Sequence, residues 1–325
     1  MLTNVNSLDA VECMMQDVLP RDRAGTMARE HLDTGGTRRR ARLVLEAGEA
    51  LGCDGDSLIA WAAAIELLHN ATLVHDDIQD GDTTRRGQLA TWVRYGINQA
   101  INVGDLLMMS PFLALAQMNC SATIKCRLTQ SLPQRSLQIV SGQVFDIEQR
   151  GVADTPWRSY QHAAARKTGS LLALAIEGVA LISGFDSLEA EDIGDTFLPL
   201  GILFQMQDDV RDLFISKGRQ RPGSDLHEGK TSALVIAHLE RCPKDALWLQ
   251  NLLQRSRCET SELEIETAID CFRSSGALGD VLDHIKRIST THQQTLSSLK
   301  VPSLITIADA FVDAALEPID HLMHS

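Results

Sequence analysis

Three long segments of the chain are rich in Ala and Leu, with few and irregularly spaced polar residues. They read SLIAWAAAIELLHNATLVHDDIQD (57–80), YQHAAARKTGSLLALAIEGVALISG (160–184) and DTFLPLGILFQMQDDVRDLF (195–214). A half-buried strand would instead alternate apolar and polar residues, commonly with Val and Thr. The pattern therefore predicts helices that are apolar nearly all round and lie inside a large helical protein.

None of these segments has the roughly 20 uninterrupted apolar residues that a membrane span needs. Glu66, His69 and Asn70 interrupt the first, and Lys167 interrupts the second. The N-terminal sequence MLTNVNSLDAVECMMQDVLP also lacks the basic region and apolar core of a signal peptide. We expect a cytoplasmic protein without a membrane span.

No repeat, alternating strand pattern or low-complexity linker interrupts the helical pattern. The clearest loop is FISKGRQRPGSDLHEGKT, which combines glycines, a proline and alternating charges. The sequence therefore predicts a single all-α domain over residues 1–325.

Composition narrows the class of protein further. The chain has 325 residues with 30 basic and 43 acidic side chains, for a net charge of −13. This charge argues against general nucleic-acid binding. The seven cysteines are scattered without a CxxC pair, which predicts reduced thiols and no disulfide framework.

An acidic cluster ends the first apolar segment. On a helix, Asp76 and Asp80 share a face with Asp77 beside them, and Gly81 follows. The helix dipole is negative at this end, so every local interaction opposes ionised aspartates. A divalent cation would remove that repulsion, and ligands that are all carboxylates favour Mg²⁺. The alternative is a solvated helix end.

A second acidic cluster favours the metal interpretation. FQMQDDVRD repeats the spacing with Asp208, Asp209 and Asp212. Two such helices facing one another would hold several metal ions around one polyanion. Lys167 lies in an apolar helix, where an unpaired ammonium is costly. Basic residues also follow each cluster: Arg85, Arg86, Lys217, Arg219, Arg221 and Lys230. These features predict a diphosphate held by metal ions and cations at the mouth of an apolar cavity.

Six ordered segments resemble the motifs of the trans-isoprenyl diphosphate synthases, the polyprenyl synthetase family. They are GGTRRRARL (family GGKRxRP), ELLHNATLVHDDIQDGDTTRRG, QAINVGD, RKTGSLLALA, FQMQDDVRD and GSDLHEGKTS. The resemblance spans roughly residues 30–240. It implies a single large helical bundle of the isoprenoid synthase type with a central apolar cavity, assembled as a homodimer.

The resemblance also implies a reaction. Such enzymes use about three Mg²⁺ ions to draw diphosphate from an allylic substrate. The double bond of isopentenyl diphosphate then attacks the carbocation, and proton loss gives a longer allylic diphosphate. By motif position, the metal ligands are Asp76, Asp80 and Asp208, with Asp77 and Asp212 in support.

Substrate-binding residues follow from the same motif positions. Those expected at the allylic diphosphate are Arg85, Lys167, Thr168, Gln205 and Lys230, and those expected at isopentenyl diphosphate are Arg40, His69 and Arg86. The residues expected to carry catalysis are Asp76, Asp77, Asp80, Asp208 and Lys167.

The chain departs from the family pattern at three positions. Thr37 replaces the lysine of GGKRxRP, Ala41 replaces its proline, and Gln220 replaces the lysine of the loop before GSD. Thr37 and Gln220 thus occupy substrate-binding positions without the charge. Two alternatives stay open: a terpene-synthase-like enzyme that ionises an allylic diphosphate without condensing it, and a non-catalytic partner subunit. Such a subunit would be expected to lose aspartates, which are intact here.

The residues before the first acidic motif also predict the length of the product. Leu68, Ala71 and Thr72 precede the first acidic motif on or near its metal-binding face. Family members that stop at fifteen carbons commonly carry aromatic side chains here, so the small Ala71 and Thr72 predict a twenty-carbon product, geranylgeranyl diphosphate. A longer-chain product is the alternative. Residues of the next helix, most simply core, could form a deeper floor of the channel: Met108, Met109 and Phe112.

Overall fold

The computed structural model describes residues 5–215, 223–257, 259–298 and 301–323. These residues are overwhelmingly helical, which confirms the predicted all-α class. The helices are α1 (Val5–Asp17), α2 (Arg23–Leu32), α3 (Arg39–Ala50), α4 (Gly55–Asp80), α5 (Thr91–Tyr95), α6 (Ile97–Gln117), α7 (Ala122–Glu148), α8 (Trp157–Ala164), α9 (Ser170–Ile182), α10 (Ser187–Asp195), α11 (Leu198–Phe214), α12 (Ser224–His227), α13 (Ala233–Arg241), α14 (Ala246–Leu253), α15 (Glu262–Ser274), α16 (Ala277–Ser298), α17 (Ser303–Leu316) and α18 (Asp320–Met323). A π-helical turn, Ala165–Gly169, joins α8 to α9, and 3₁₀ turns cover Pro243–Asp245 and Glu317–Ile319.

Among the described residues, a short antiparallel hairpin departs from the helical pattern and was not predicted from the sequence. Its strands are β1 (Thr84–Arg85) and β2 (Gln88–Leu89), with Arg85 opposite Gln88. Arg86 and Gly87 form the turn with φ of 54° and 78°. Two positive φ values are the signature of a type I′ turn, which matches the twist of paired strands. Two-residue strands are too short to show an alternating pattern.

Contacts divide the chain into two compact units. The first comprises Met1–Gln134 with Ala173–Asp195, and the second comprises Arg135–Leu172 with Thr196–Ser325. The prediction of one domain over residues 1–325 stays a prediction.

In the first unit, α4 is the central helix. The Asp54 carboxylate accepts from the Ser57 N–H at its start, and Gly81 ends it with φ of 69°. Trp61 is fully buried and donates its indole N–H to the Ala175 carbonyl at 2.9 Å. A Cβ on Gly178 would lie 2.0 Å from the Trp61 ring, so only glycine permits this contact. This packing fixes the helix that ends in the first acidic motif.

Two helices among the described residues, α4 and α6, are long and apolar enough to cross a membrane by length and composition alone. The most apolar window of α4 is 78% buried inside the protein and that of α6 is 44% buried. For α4, interior packing accounts for the apolar composition, since the core helix of a globular protein passes the same test. For α6, exposed apolar side chains remain.

Candidate active site

The three aspartates at the end of α4 lie in different surroundings. Asp76 and Asp80 are half-buried, whereas Asp77 is fully buried. Arg85 donates from Nε to Asp77 Oδ1 at 2.8 Å, and a second guanidinium nitrogen contacts the same oxygen. Burial raises the pKa of Asp77 to about 6, although the Arg85 hydrogen bond acts in the opposite direction. Asp77 thus anchors the motif to Arg85.

The hairpin explains why Arg85 reaches Asp77. Gly81 ends α4, and the chain then reverses through β1, so that Arg85 returns to the helix end. Its guanidinium also lies 3.6 Å from the Asp82 carboxylate. The two arginines that follow the first acidic motif therefore diverge, with Arg85 on the aspartates and Arg86 at the tip of the turn.

Arg86 joins two other predicted residues in a cationic cluster. Arg40 lies 3.0 Å from His69, measured from its guanidinium nitrogen to Nε2. The Arg86 guanidinium lies against Gly36, where a Cβ would be 2.7 Å from Cζ. Burial, followed by the charges of Arg40 and Arg86, lowers the pKa of His69 well below its ordinary value, so the ring is neutral. Thus the structure brings Arg40, His69 and Arg86 together within one unit.

Arg38 and Glu66 support this cluster, although the sequence assigned neither of them a role in it. Arg38 directly precedes α3 with φ of 48°, is 7% exposed and donates to the Leu32 carbonyl at 3.2 Å. Glu66 accepts from the Ala41 N–H at 3.0 Å, a donor that a proline at this position would lack. Thr37, by contrast, is exposed. Three arginines follow one another in the sequence, and no local pattern indicates which of them is buried.

The QAINVGD segment packs against His75, which directly precedes the acidic motif. A Cβ on Gly104 would lie 2.2 Å from His75 Nε2, so the imidazole packs on the bare backbone of α6. Nε2 lies 3.5 Å from an Asp105 carboxylate oxygen. Gly104 and Asp105 are therefore positioning residues for His75. Sequence spacing alone did not relate the two segments.

In the second unit, adjacent aspartates of α11 have opposite environments. The side chain of Asp208 is 63% exposed and lies 3.4 Å from Arg211 one turn later. Asp209 is buried and accepts from the Tyr160 hydroxyl at 2.8 Å, the Ala233 N–H at 2.7 Å and the Gln205 amide at 3.0 Å. Burial raises the pKa of Asp209 to about 6 despite these donors. Asp208 faces outward, and Asp209 joins α11 to α8 and α13.

Asp212 also forms hydrogen bonds with other residues of the protein. It is buried, and it accepts from the Ser224 hydroxyl at 2.7 Å and from the Asp225 N–H at 3.1 Å. These bonds hold the GSD segment against α11. Lys230 follows on the same loop, 2.7 Å from Glu228 and 3.5 Å from Asp225. The predicted substrate position Gln220 lies outside the described residues, as do the cations Lys217, Arg219 and Arg221.

Lys167 is paired with a residue to which the sequence assigned no role. Its ammonium donates to Asp146 at 2.8 Å and is half-buried. Lys167 and the half-buried Thr168 lie in the π-helical turn, an irregularity that frequently marks functional sites. A Cβ on Gly142 would lie 2.3 Å from the Lys167 backbone nitrogen. Gly142 therefore allows α7 to pack closely against the backbone of the turn that carries Lys167.

The predicted chain-length residues are not equivalent. Ala71 and Leu68 are buried, whereas Thr72 is half-buried and donates its hydroxyl to the His69 carbonyl at 2.8 Å. On α6, Met109 is 62% exposed, so describing it as core is wrong for this chain. Two further α6 residues are half-buried: Met108 and Phe112.

The donors of the α4 motif fit a hard divalent cation. Asp76 and Asp80 share one helix face, and only carboxylate oxygens are offered. Asp77 Oδ2 is buried without a hydrogen-bond partner among the described residues, so the motif carries negative charge that Arg85 does not fully satisfy. On α11, the exposed carboxylate of Asp208 is of the same type. The residues present therefore suit Mg²⁺ rather than a softer metal.

Known proteins resemble this chain over most of its length. The polyprenyl synthetase family profile matches residues 22–271. A geranylgeranyl diphosphate synthase of Methanosarcina mazei is 30% identical over 293 residues, covering 88% of this chain and 87% of that protein. A Caulobacter crescentus polyprenyl synthase, solved with calcium and isoprenyl diphosphate, superimposes with a TM-score of 0.84 at 27% identity, covering 96% and 94% of the two chains. A geranylgeranyl pyrophosphate synthetase of Pyrococcus horikoshii gives a TM-score of 0.82 at 28% identity, covering 95% and 96%. The chain belongs to the polyprenyl synthetase family and is an isoprenyl diphosphate synthase, a prenyltransferase.

Proposed function

We propose that the enzyme condenses isopentenyl diphosphate with allylic diphosphates and that its main product is geranylgeranyl diphosphate. The observation that carries this proposal is the cluster of Arg40, His69 and Arg86, with Arg40 and His69 3.0 Å apart. An enzyme that only ionises one allylic diphosphate needs one anion site. A cationic cluster in addition to the acidic motifs supports a second diphosphate, that of isopentenyl diphosphate.

We assign the metal ligands to Asp76, Asp80 and Asp208, with Asp77 and Asp212 in support. About three Mg²⁺ ions, when bound, would supply the positive charge that stabilises the departing diphosphate. The assignment of support to Asp77 and Asp212 rests on their burial and on their bonds to Arg85 and to Ser224. Both hold the backbone that presents the more accessible carboxylates.

The chain's own cations have separate tasks in this proposal. Arg40, His69 and Arg86 hold isopentenyl diphosphate, and the neutral His69 donates one N–H without adding charge. The residues that hold the allylic diphosphate are Arg85, Lys167, Thr168, Gln205 and Lys230. The pairing of Lys167 with Asp146 at 2.8 Å orients its ammonium before substrate binds. No protein base is required, because released diphosphate can accept the proton.

Product length provides the test of the proposed function. The small side chains of Ala71 and Thr72 leave room for a chain longer than fifteen carbons. We expect the wild-type enzyme to convert farnesyl diphosphate to the twenty-carbon product only when isopentenyl diphosphate is present. Ala71→Phe should shift the main product toward fifteen carbons, because the ring fills the channel, while Ala71→Ser should not. Products are measured by chromatography of reactions with labelled isopentenyl diphosphate.

Several outcomes would contradict this proposal. Allylic diphosphate consumed equally well without isopentenyl diphosphate would favour the terpene-synthase-like alternative. A wild-type product of fifteen carbons, or an unchanged distribution in Ala71→Phe, would refute the assigned channel. Products longer than twenty carbons would favour a longer-chain synthase.

A second prediction concerns the lysine that this chain lacks. Thr37 is exposed beside the arginines of α3, so Thr37→Lys adds a cation without disturbing the core. A charge-assisted phosphate contact contributes about 1.5–3 kcal/mol. We expect the KM for isopentenyl diphosphate to fall about tenfold, with little change in the KM for the allylic substrate. Thr37→Gln is the uncharged control, and equal effects of Lys and Gln would exclude the electrostatic explanation.

We further propose a cytoplasmic homodimer without a membrane span. The support is an apolar stripe on α6 formed by Ile97, Ile101, Met109 and Leu113, which are 50%, 43%, 62% and 49% exposed. Each step of four residues advances by about 40° around a helix, so these side chains form a stripe that winds across one half of α6. A second copy of the chain would bury this stripe, which also accounts for the apolar composition of α6. The net charge of −13 argues against a nucleic-acid partner.

A further inference from the structure

Three chemically different side chains converge at the end of α13. His238 lies in its last turn, Cys242 follows the helix, and Asp245 ends the 3₁₀ turn Pro243–Asp245. One nitrogen, the sulfur and one carboxylate oxygen all lie within 4.8 Å of one another. His238 is buried, whereas Cys242 and Asp245 are half-buried. We propose that His238, Cys242 and Asp245 form a Zn²⁺ site.

The donor set decides the metal class. Imidazole, thiolate and carboxylate together suit Zn²⁺, and three protein ligands leave a fourth position for water. A hard ion such as Mg²⁺ would find only one oxygen donor here. His238 and Cys242 are four residues apart, a spacing that puts both side chains on the same side at a helix end. The turn then adds Asp245 without a long loop.

A hydrogen-bond chain prepares His238 for metal binding. Ser275 Oγ lies 2.9 Å from His238 Nδ1 and 3.3 Å from the Phe272 carbonyl, to which it donates. In the tautomer whose Nδ1–H donates to Ser275, the Nε2 lone pair faces Asp245. Nε2 and the Asp245 carboxylate oxygen are 3.1 Å apart. In this tautomer two acceptors lie side by side, an arrangement that a cation shared with the neighbouring Cys242 sulfur would stabilise.

This site is distinct from the acidic motifs in its residues and in its chemistry. The Ala233 N–H at the start of α13 donates to Asp209 at 2.7 Å, whereas the proposed Zn²⁺ ligands lie at the other end of the helix. At about 1.5 Å per residue, the five residues from Ala233 to His238 span roughly 7–8 Å.

Cobalt provides a probe that separates this site from carboxylate sites. We expect one equivalent of Co²⁺, added to the reduced, metal-free full-length protein in excess Mg²⁺, to give a near-ultraviolet thiolate-to-cobalt charge-transfer band. Oxygen ligands alone cannot produce this band. Cys242→Ser should abolish it, whereas Cys126→Ser, at an exposed cysteine of α7, should retain it. Ser275→Ala should weaken Co²⁺ binding by about tenfold, because it removes the partner that orients His238.

The absence of a band in wild type, or a band that survives Cys242→Ser, would overturn the proposal. X-ray absorption of the zinc-loaded wild-type protein provides a test that needs no variant. One sulfur scatterer beside nitrogen and oxygen supports the site, and oxygen scatterers alone refute it. Circular dichroism of Cys242→Ser separates loss of a ligand from loss of the fold.

Discussion

Asp208→Asn is expected to lower kcat by roughly 10²–10³-fold while leaving the free energy of unfolding almost unchanged. The side chain of Asp208 is 63% exposed, and its contact with Arg211 is a surface ion pair at 3.4 Å. Such pairs contribute about 0–1 kcal/mol to stability. Its proposed task is to bind Mg²⁺, which asparagine performs poorly because it is neutral. Asp76→Asn should give a comparable loss. Turnover is measured in excess Mg²⁺, and stability by urea denaturation.

The matched control is Asp192→Asn, which removes one exposed carboxylate from α10. We expect this variant to keep wild-type turnover. Near wild-type kcat in Asp208→Asn and Asp76→Asn, or full wild-type activity in excess chelator, would contradict the metal assignment.

For Asp209, the residue next to Asp208, we expect the larger effect on stability rather than on turnover. Asp209→Ala should lower the free energy of unfolding by about 3 kcal/mol, because the buried Tyr160 hydroxyl and the Ala233 N–H both lose their acceptor. These bonds are 2.8 and 2.7 Å long. Urea denaturation of Asp208→Ala and Asp209→Ala side by side provides the measurement. A stability loss in Asp209→Ala no larger than in Asp208→Ala would show that Asp209 does not anchor α13.

A double-mutant cycle isolates one of these bonds. Tyr160→Phe removes only the hydroxyl, and its cost should be small once Asp209 is already alanine. The Tyr160–Asp209 coupling is then expected to be on the order of 1–2 kcal/mol. Strict additivity of the two variants would mean that the contact contributes nothing to stability.

The sequence predicted the helices and the motif positions because both depend on local pattern. The apolar run ending at Asp80 and the glycine that follows define α4 without any tertiary information, and α11 is equally clear. Arg40, His69 and Arg86 were grouped through family motifs, and the fold brings them together. Their grouping could not come from spacing, since they belong to α3, α4 and the β1–β2 turn.

What the sequence could not predict depends on contacts between distant segments. Asp76, Asp77 and Asp80 look alike in the chain, yet Asp77 alone is fully buried against Arg85. Asp146 gained a role only because α7 passes the π-helical turn closely enough for Lys167 to reach it. Met109 was read as core from its apolar character, although the packing of α6 leaves it exposed. Burial at these positions is decided by tertiary packing rather than by local pattern.

The π-helical turn Ala165–Gly169 has a consequence for comparing this chain with its relatives. A π turn holds one residue more than the α-helical turn it replaces, so it behaves as an insertion absorbed inside a helix. Deleting one residue there would rotate α9 by about 100° relative to α8 and turn Lys167 away from Asp146. Gly142 and Gly201 come within 2.3 and 2.2 Å of the turn, measured from a Cβ placed on each, and leave no room for such a rotation. An aligned relative with a gap at these five residues would therefore need a different residue to supply the ammonium.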